Sequence, residues 1–343
     1  MTRLNIFLCA AVCLACALNA SALETKSQKA VLSNLPGDVR GVVFSPDAKW
    51  LAVSTGQVIK VFDWQRGTAG IELSGGLGAV FSADGLLIAF PGQDEFNNDG
   101  LMLWDLAANK KRLFIAGDNV LSPAFVPGGK LISAAVGSRI KTWDLASGKE
   151  AQQWPAMHKC SLTVIAYMQD GSRLISADAH GLCVLWDMSE SEPKKIAEFK
   201  RDNNDTPISA LAVVNKGSHI ALATGGGEIL FLDAAKLTLS GAVKGHAQGL
   251  TVKSVAFAPD GRLLASACSG VDDIEIKLWD AAAPKQFFAF TGHSGAVNCV
   301  AFAPDGKWLA TGSDDKSAKI WDVAALLLLA APPPAVKPKK DAE

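Results

Sequence analysis

The sequence predicts an all-β fold made of seven copies of one β-rich unit, and three observations predict it. The first is a hydrophobic residue followed by Asp, at Phe62-Asp63, Trp104-Asp105, Trp143-Asp144, Trp186-Asp187, Leu232-Asp233, Trp279-Asp280 and Trp321-Asp322. Successive Asp positions lie 42, 39, 43, 46, 47 and 42 residues apart; such a period marks one supersecondary unit repeated along a chain. The second is a turn upstream of each dipeptide, clearest in Phe257-Ala-Pro-Asp-Gly261 and Phe302-Ala-Pro-Asp-Gly306, where Pro presets φ and Gly accepts a positive φ. The third is the texture of the runs around those turns. They alternate or are wholly apolar over four to six residues, as half-buried and buried strands are.

Taken in order, the chain begins with different material. Arg3 precedes an apolar run, Leu4 to Leu18, broken only by Asn5, and Ala20-Ser-Ala22 supplies small residues for cleavage. That is the anatomy of a secretory signal peptide, 1–22. Its 15-residue apolar core is short of the roughly 20 residues a spanning helix needs, so an exported chain that is not transmembrane after cleavage is expected. Cys16 after Leu14-Ala15 suggests lipidation instead, and with it a lipoprotein or peripheral membrane association. Residues 23–27 form a short lead-in, and Gln28 to Ser33 then reads as a strand ahead of the first turn. The remaining turns follow at Phe44-Ser-Pro-Asp47, Phe81-Ser-Ala-Asp-Gly85, Phe125-Val-Pro-Gly-Gly129, Tyr167-Met-Gln-Asp-Gly171 and Val213-Val-Asn-Lys-Gly217. After the last dipeptide, 324–343 is an apolar stretch followed by a Pro/Lys-rich tail of extended, polyproline-like character.

These residues resemble the WD-repeat family. The resemblance runs from Gln28 to Val323; it is specific in units 4, 6 and 7 and eroded in units 1, 2, 3 and 5. It implies a seven-bladed β-propeller of four-stranded antiparallel blades over 28–323, with the N-terminal strand completing the last blade. It also implies a buried relay of His, Ser or Thr, Asp and Trp within a blade. Unit 7 offers His293, Thr311, Asp315 and Trp321; unit 6 offers His246, Ser266, Asp273 and Trp279. Unit 4 offers His158, Ser176 and Trp186, with His180 where the acid is expected. Units 1, 2, 3 and 5 lack the His and read as held by apolar packing alone.

Composition narrows function. Of 343 residues, 49% are hydrophobic and the formal net charge is −1, so no electrostatic pull toward nucleic acid is expected. Three cysteines leave with the signal, and Cys160, Cys183, Cys268 and Cys299 remain, read as free thiols. No Cys-x-x-Cys or phosphate-cradling motif follows residue 22, so no cofactor and no metal is expected. His293, Thr311 and Asp315 have the composition of a hydrolase triad, but a similar set in unit 6 favours structure over catalysis. The insertion Gln93-Asp-Glu-Phe-Asn-Asn-Asp-Gly100 departs from an EF-hand at its first and last ligand positions. It carries an exposed aromatic beyond what a turn needs, which makes Asp94, Glu95, Phe96 and Asp99 candidates for partner binding. Asp205 joins them, as one of several acidic residues expected on the same loop face with Arg201, Asp202, Asp272 and Asp314. The expected function is a non-enzymatic scaffold that holds protein or peptide partners on its loop face and rim, in the periplasm or secreted. The alternatives are an exported calcium-dependent lactone or ester hydrolase and a propeller that binds a small ligand.

Overall fold

The computed structural model describes residues 27–33, 35–152, 154–190, 192–201, 206–214, 219–247, 249–270 and 275–330. The signal segment, Asp202, Asp205, Asp272, Asp273 and the Pro/Lys tail lie outside them.

Seven four-stranded antiparallel sheets follow one another as the repeat predicted. Blade 1 is β2 (Gly41–Phe44), β3 (Trp50–Ser54), β4 (Val58–Asp63) and β5 (Thr68–Ser74), and blade 2 is β6 (Val80–Phe81), β7 (Leu87–Gln93), β8 (Asp99–Asp105) and β9 (Lys110–Ala116). Blade 3 is β10 (Val120–Phe125), β11 (Leu131–Val136), β12 (Arg139–Asp144) and β13 (Glu150–Gln152), and blade 4 is β14 (Leu162–Tyr167), β15 (Arg173–Asp178), β16 (Leu182–Asp187) and β17 (Lys194–Lys200). Blade 5 is β18 (Ile208–Val213), β19 (His219–Thr224), β20 (Glu228–Asp233) and β21 (Leu239–Lys244), and blade 6 is β22 (Val252–Phe257), β23 (Leu263–Cys268), β24 (Ile276–Asp280) and β25 (Lys285–Phe290). Blade 7 takes β26 (Val297–Phe302), β27 (Trp308–Ser313) and β28 (Ala318–Asp322) from the C-terminal side and β1 (Gln28–Leu32) from the N-terminal side. β1 runs antiparallel to β28, from Gln28 opposite Trp321 to Leu32 opposite Ala318. The clasp leaves no blade short of its outer strand, which answers the edge-pairing hazard of open sheets.

The Asp of each closing dipeptide has one local task. Its Oδ1 accepts backbone N–H groups of the turn after the third strand: Arg66 on Asp63 (3.2 Å), Ala108 on Asp105 (2.8 Å), Ser147 on Asp144 (2.8 Å) and Lys236 on Asp233 (2.8 Å). Ser189 on Asp187 and Ala282 on Asp280, both 2.9 Å, repeat the pattern. In blade 7 the same carboxylate accepts Ala325 N–H (3.0 Å) and so caps helix α1 (Val323–Ala330). Upstream, Gly85, Gly171, Gly261 and Gly306 take φ of +70 to +73 in the first turn, where a side chain is disfavoured. In blade 1 that position is Ala48, at φ +57.

Each blade buries its apolar faces against both neighbours, and each of the seven core clusters mixes residues of adjacent blades. Hydroxyls on the innermost strands add fasteners between blades. Ser122 Oγ accepts Ile165 N–H (3.0 Å), Ser254 Oγ accepts Val300 N–H (3.2 Å) and Ser209 donates to Val252 C=O. Buried Asn298 donates to Val39 C=O (3.0 Å), tying blade 7 to the approach of blade 1. Helix α1 packs Val323 and Leu326 into the core cluster of blades 6 and 7, while Leu328 stays 77% exposed. Cys183, Cys268 and Cys299 are buried, Cys160 is half-buried, and none of the four is in a disulfide.

Candidate functional site

The triad-like residues come together in blade 7. His293 Nδ1 lies 2.9 Å from Asp315 Oδ2, and Nε2 lies 2.8 Å from Thr311 Oγ1, which also accepts the Trp321 indole N–H (2.9 Å). Burial pushes the Asp315 carboxyl up, but hydrogen bonds from His293 and Ser317 and the charge of the imidazole outweigh it, leaving the carboxyl well below the usual range. Blade 6 repeats the inner part: Ser266 Oγ meets His246 Nε2 at 2.9 Å and accepts Trp279 N–H at 2.8 Å. Its expected acid, Asp273, is outside the described residues. In blade 4, His158 Nε2 meets Ser176 Oγ (2.7 Å), which accepts Trp186 N–H (2.9 Å).

Two expectations need correction here. The acid of blade 4 is Asp178, whose Oδ2 lies 2.8 Å from His158 Nδ1. His180, read as standing in the acid's place, only donates its backbone N–H to Asp178 Oδ1 (2.9 Å). Counting from the hydroxyl failed because the acid ends β15 in blade 4 but sits in the following turn in blade 7. Blade 3 is not held by apolar packing alone. Trp154 donates to Thr142 Oγ1 (2.9 Å), Thr142 and Ser133 hydroxyls lie 2.7 Å apart, and Tyr167 of blade 4 reaches Ser133 at 2.7 Å. Burial pushes the Tyr167 phenol up to about 12 despite those hydroxyl partners. Trp154 follows the blade's last strand, outside the repeat position, so no template finds it.

These sets are built for holding blades. Thr311, Ser176 and Ser266 are fully buried, and each hydroxyl oxygen is already engaged by an imidazole and an indole. A nucleophile needs a free approach to its substrate, and this geometry offers none. Among the described residues no three His, Cys, Asp or Glu side chains are grouped as metal ligands.

The insertion in blade 2 is half strand and half turn. β7 and β8 pair out to Gln93 opposite Asp99, leaving a loop at 94–98. Asp94 organises that loop: Oδ1 accepts Phe96 and Asn98 N–H (2.9 Å each) and Oδ2 accepts the Asn98 amide (2.9 Å). The Asn98 amide, ahead of the backbone bonds, holds the Asp94 carboxyl below its ordinary value. Asp99 accepts from the Gln93 amide (3.0 Å), and Glu95 faces Lys111 at 4.0 Å. Phe96 stands at the tip, 77% exposed. Asp94, Glu95, Phe96 and Asp99 therefore share one hairpin. Asp205 is outside the described residues. Asp314 is occupied elsewhere, accepting from Asn298 at 2.7 Å, and Arg201 pairs with Glu228.

Beside this hairpin lies a cleft of about 570 Å3 that sequence reasoning missed. It runs from Gly56 and Gln57 of blade 1, along the blade 2 hairpin, to Asn119 and Val120 at the start of blade 3. Its cause is Pro91 within β7. Proline has no amide hydrogen to give an inner strand, and β6 pairs only Val80 with Ala89 and Phe81 with Ile88. Beyond that point Gly75 and Gly76 leave the sheet, with Gly76 N–H on Pro91 C=O at 2.7 Å. A Cβ at Gly75 would sit 2.4 Å from the Phe90 ring, so glycine is required there. Pro91 inside an otherwise apolar strand, behind Gly75-Gly76, was the available signal.

Comparison with known proteins agrees with this architecture. The family model described as "WD domain, G-beta repeat" matches residues 29–63, 237–280 and 284–322. The last two matches begin beside the outer strand of one blade and end on the third strand of the next, so each sequence repeat laces two blades together. The chain is 26% identical over 325 residues to "Nuclear distribution protein PAC1" of Arthroderma otae, covering 89% of this chain and 63% of that protein. It is 27% identical over 208 residues to "WD repeat-containing protein 26 homolog" of Arabidopsis thaliana, covering 60% of this chain and 34% of that one. It is 24% identical over 221 residues to "Serine-threonine kinase receptor-associated protein" of Gallus gallus, covering 64% and 59%. The chain thus spans about one to two thirds of the length of these relatives. The fold is thus a seven-bladed β-propeller, and three stretches of the chain are similar to the WD repeat.

Proposed function

We propose that the chain is a non-enzymatic interaction scaffold that presents its loop face and rim to protein or peptide partners. The observation that carries this reading is the blade 2 hairpin, which holds an exposed Phe96 on a loop fixed by Asp94 and anchored in a closed ring. A rigid aromatic on a preorganised loop is the kind of group that dominates a binding interface. The name of the Gallus gallus relative, a receptor-associated protein, is in keeping with an adaptor role. Replacing Asp94, Glu95 and Phe96 with Gly-Ser-Gly should leave unfolding free energy within about 0.5 kcal/mol of the parent, as at surface sites generally. Partners labelled by proximity to the full chain should be lost or weakened about tenfold. Undiminished capture by the folded variant would remove the hairpin from the binding surface.

The same proposal places the scaffold outside the cytoplasm, periplasmic or secreted, with 1–22 removed as a signal peptide, 28–323 as the propeller and 324–343 as its tail. Support comes from Arg3, the apolar run Leu4 to Leu18 and the small residues at Ala20-Ser-Ala22. No helix among the described residues is long and apolar enough to cross a membrane. Intact mass of the chain recovered from the exporting cell should correspond to a start at Leu23. A mass that retains residues 1–22, or a lipid on Cys16, would overturn that assignment.

A further inference from the structure

The cleft beside the blade 2 hairpin has a chemistry of its own. Gln57, Ser74, Gln93, Asn97 and Asn119 contribute polar side chains, Asp94 and Asp99 contribute carboxylates, and no lysine, arginine or histidine lines it. Lys111, on the outer strand of the same blade, faces Glu95, and its charge also helps hold the Asp94 carboxyl low, but among the described residues no lysine or arginine lies within ion-pair distance of Asp94 or Asp99. A site of this polarity rejects anions and favours cations and hydrogen-bond donors. Its walls come from three successive blades. Gly75, Gly76 and Gly92 also line it. Phe96 lies between Asp94 and Asn97 of the lining on the same hairpin loop and is exposed. The volume, about 570 Å3, lies within the range of ligand-holding clefts.

We propose that this cleft receives an extended partner segment bearing a lysine or arginine, whose cationic group sits between Asp94 and Asp99 while a neighbouring apolar side chain packs on Phe96. The proposal rests on the scaffold reading and names the partner chemistry of its loop face. The absence of a continuous inner strand in blade 2 is what makes the room: an inner strand the length of its counterparts, six residues in blades 3 to 7, would run through the space beside Gln93.

The test uses phage-displayed random dodecapeptides selected on the full chain, followed by fluorescence anisotropy with the recovered peptides. Enrichment of arginine or lysine next to an apolar residue is expected. Binding should weaken about tenfold in the double variant Asp94→Asn, Asp99→Asn, in which Asn keeps the turn-forming capacity of Asp, and should fall as salt is raised. Gln57→Arg, an exposed position on the cleft wall, should abolish it by supplying the chain's own cation, with the melting temperature unchanged. Peptides without basic enrichment would overturn the proposal, as would affinity indifferent to Gln57→Arg, or failure to select any peptide. Peptides that ignore the cleft variants but are lost on replacing Asp94, Glu95 and Phe96 would end this proposal and leave the scaffold reading intact.

Discussion

A chain that begins at Pro36 should lose its cooperative unfolding transition. The truncation removes β1, which is the outer strand of blade 7, together with Leu32 and Leu35, both buried at 5% exposure or less. Burying one leucine contributes about 1.5–3 kcal/mol, so the two side chains alone account for about 3–6 kcal/mol before any strand pairing is counted. A whole domain is stable by only about 5–15 kcal/mol. The loss is therefore comparable to everything that holds the ring folded. It also bares the edge of β28, a template for pairing with another chain. Urea titration followed by circular dichroism should show a transition that is broad or absent at low denaturant, with aggregation on concentration. A truncated chain that unfolds cooperatively within about 1 kcal/mol of the parent would mean that closure by β1 is dispensable.

That clasp was legible through the family resemblance, which implies an N-terminal strand in the last blade, and Gln28 to Ser33 was the run ahead of the first turn that could supply it. Seven third strands end in a hydrophobic-Asp dipeptide. The dipeptide could be read at a distance because its Asp has a fixed local duty, to cap the turn two or three residues on. The relays were legible only where the spacing was regular. Asp178 was missed because loop length between second and third strands differs by blade, which moves the acid relative to the hydroxyl. The Trp154–Thr142–Ser133–Tyr167 network was missed because it crosses from one blade to the next. Pairing across blades depends on how two sheets face each other, and a single repeat does not contain that information. The cleft stayed hidden for a related reason. It is an effect of one missing amide hydrogen at Pro91 on a strand ten residues earlier, visible only once the two strands are side by side.

Trp321→Ala should be the costliest single substitution in blade 7, about 3–5 kcal/mol, in the range for removing a large buried aromatic. The indole is 1% exposed. It meets Phe290 of blade 6 edge to face with centroids 5.0 Å apart, lies opposite Gln28 of the clasp, and donates to Thr311 Oγ1 at 2.9 Å. Packing, not the hydrogen bond, carries most of this, since a typical internal hydrogen bond contributes about 0.5–1.5 kcal/mol net. Trp321→Phe, which keeps an aromatic ring and loses the donor, should therefore cost less than half as much. A double-mutant cycle separates the two causes. A Cβ at Gly292 would sit 2.3 Å from the indole ring, so Gly292→Ala alone should cost about 1–3 kcal/mol by overpacking. In the Trp321→Ala background the ring is gone and the added methyl has room, so the same change should be nearly free, a coupling of about 1–3 kcal/mol. Urea midpoints at constant slope measure all four corners. Additive effects at the two positions would mean that the indole does not occupy the space against Gly292, and with it the claim that blades 6 and 7 interlock through Trp321 would fall.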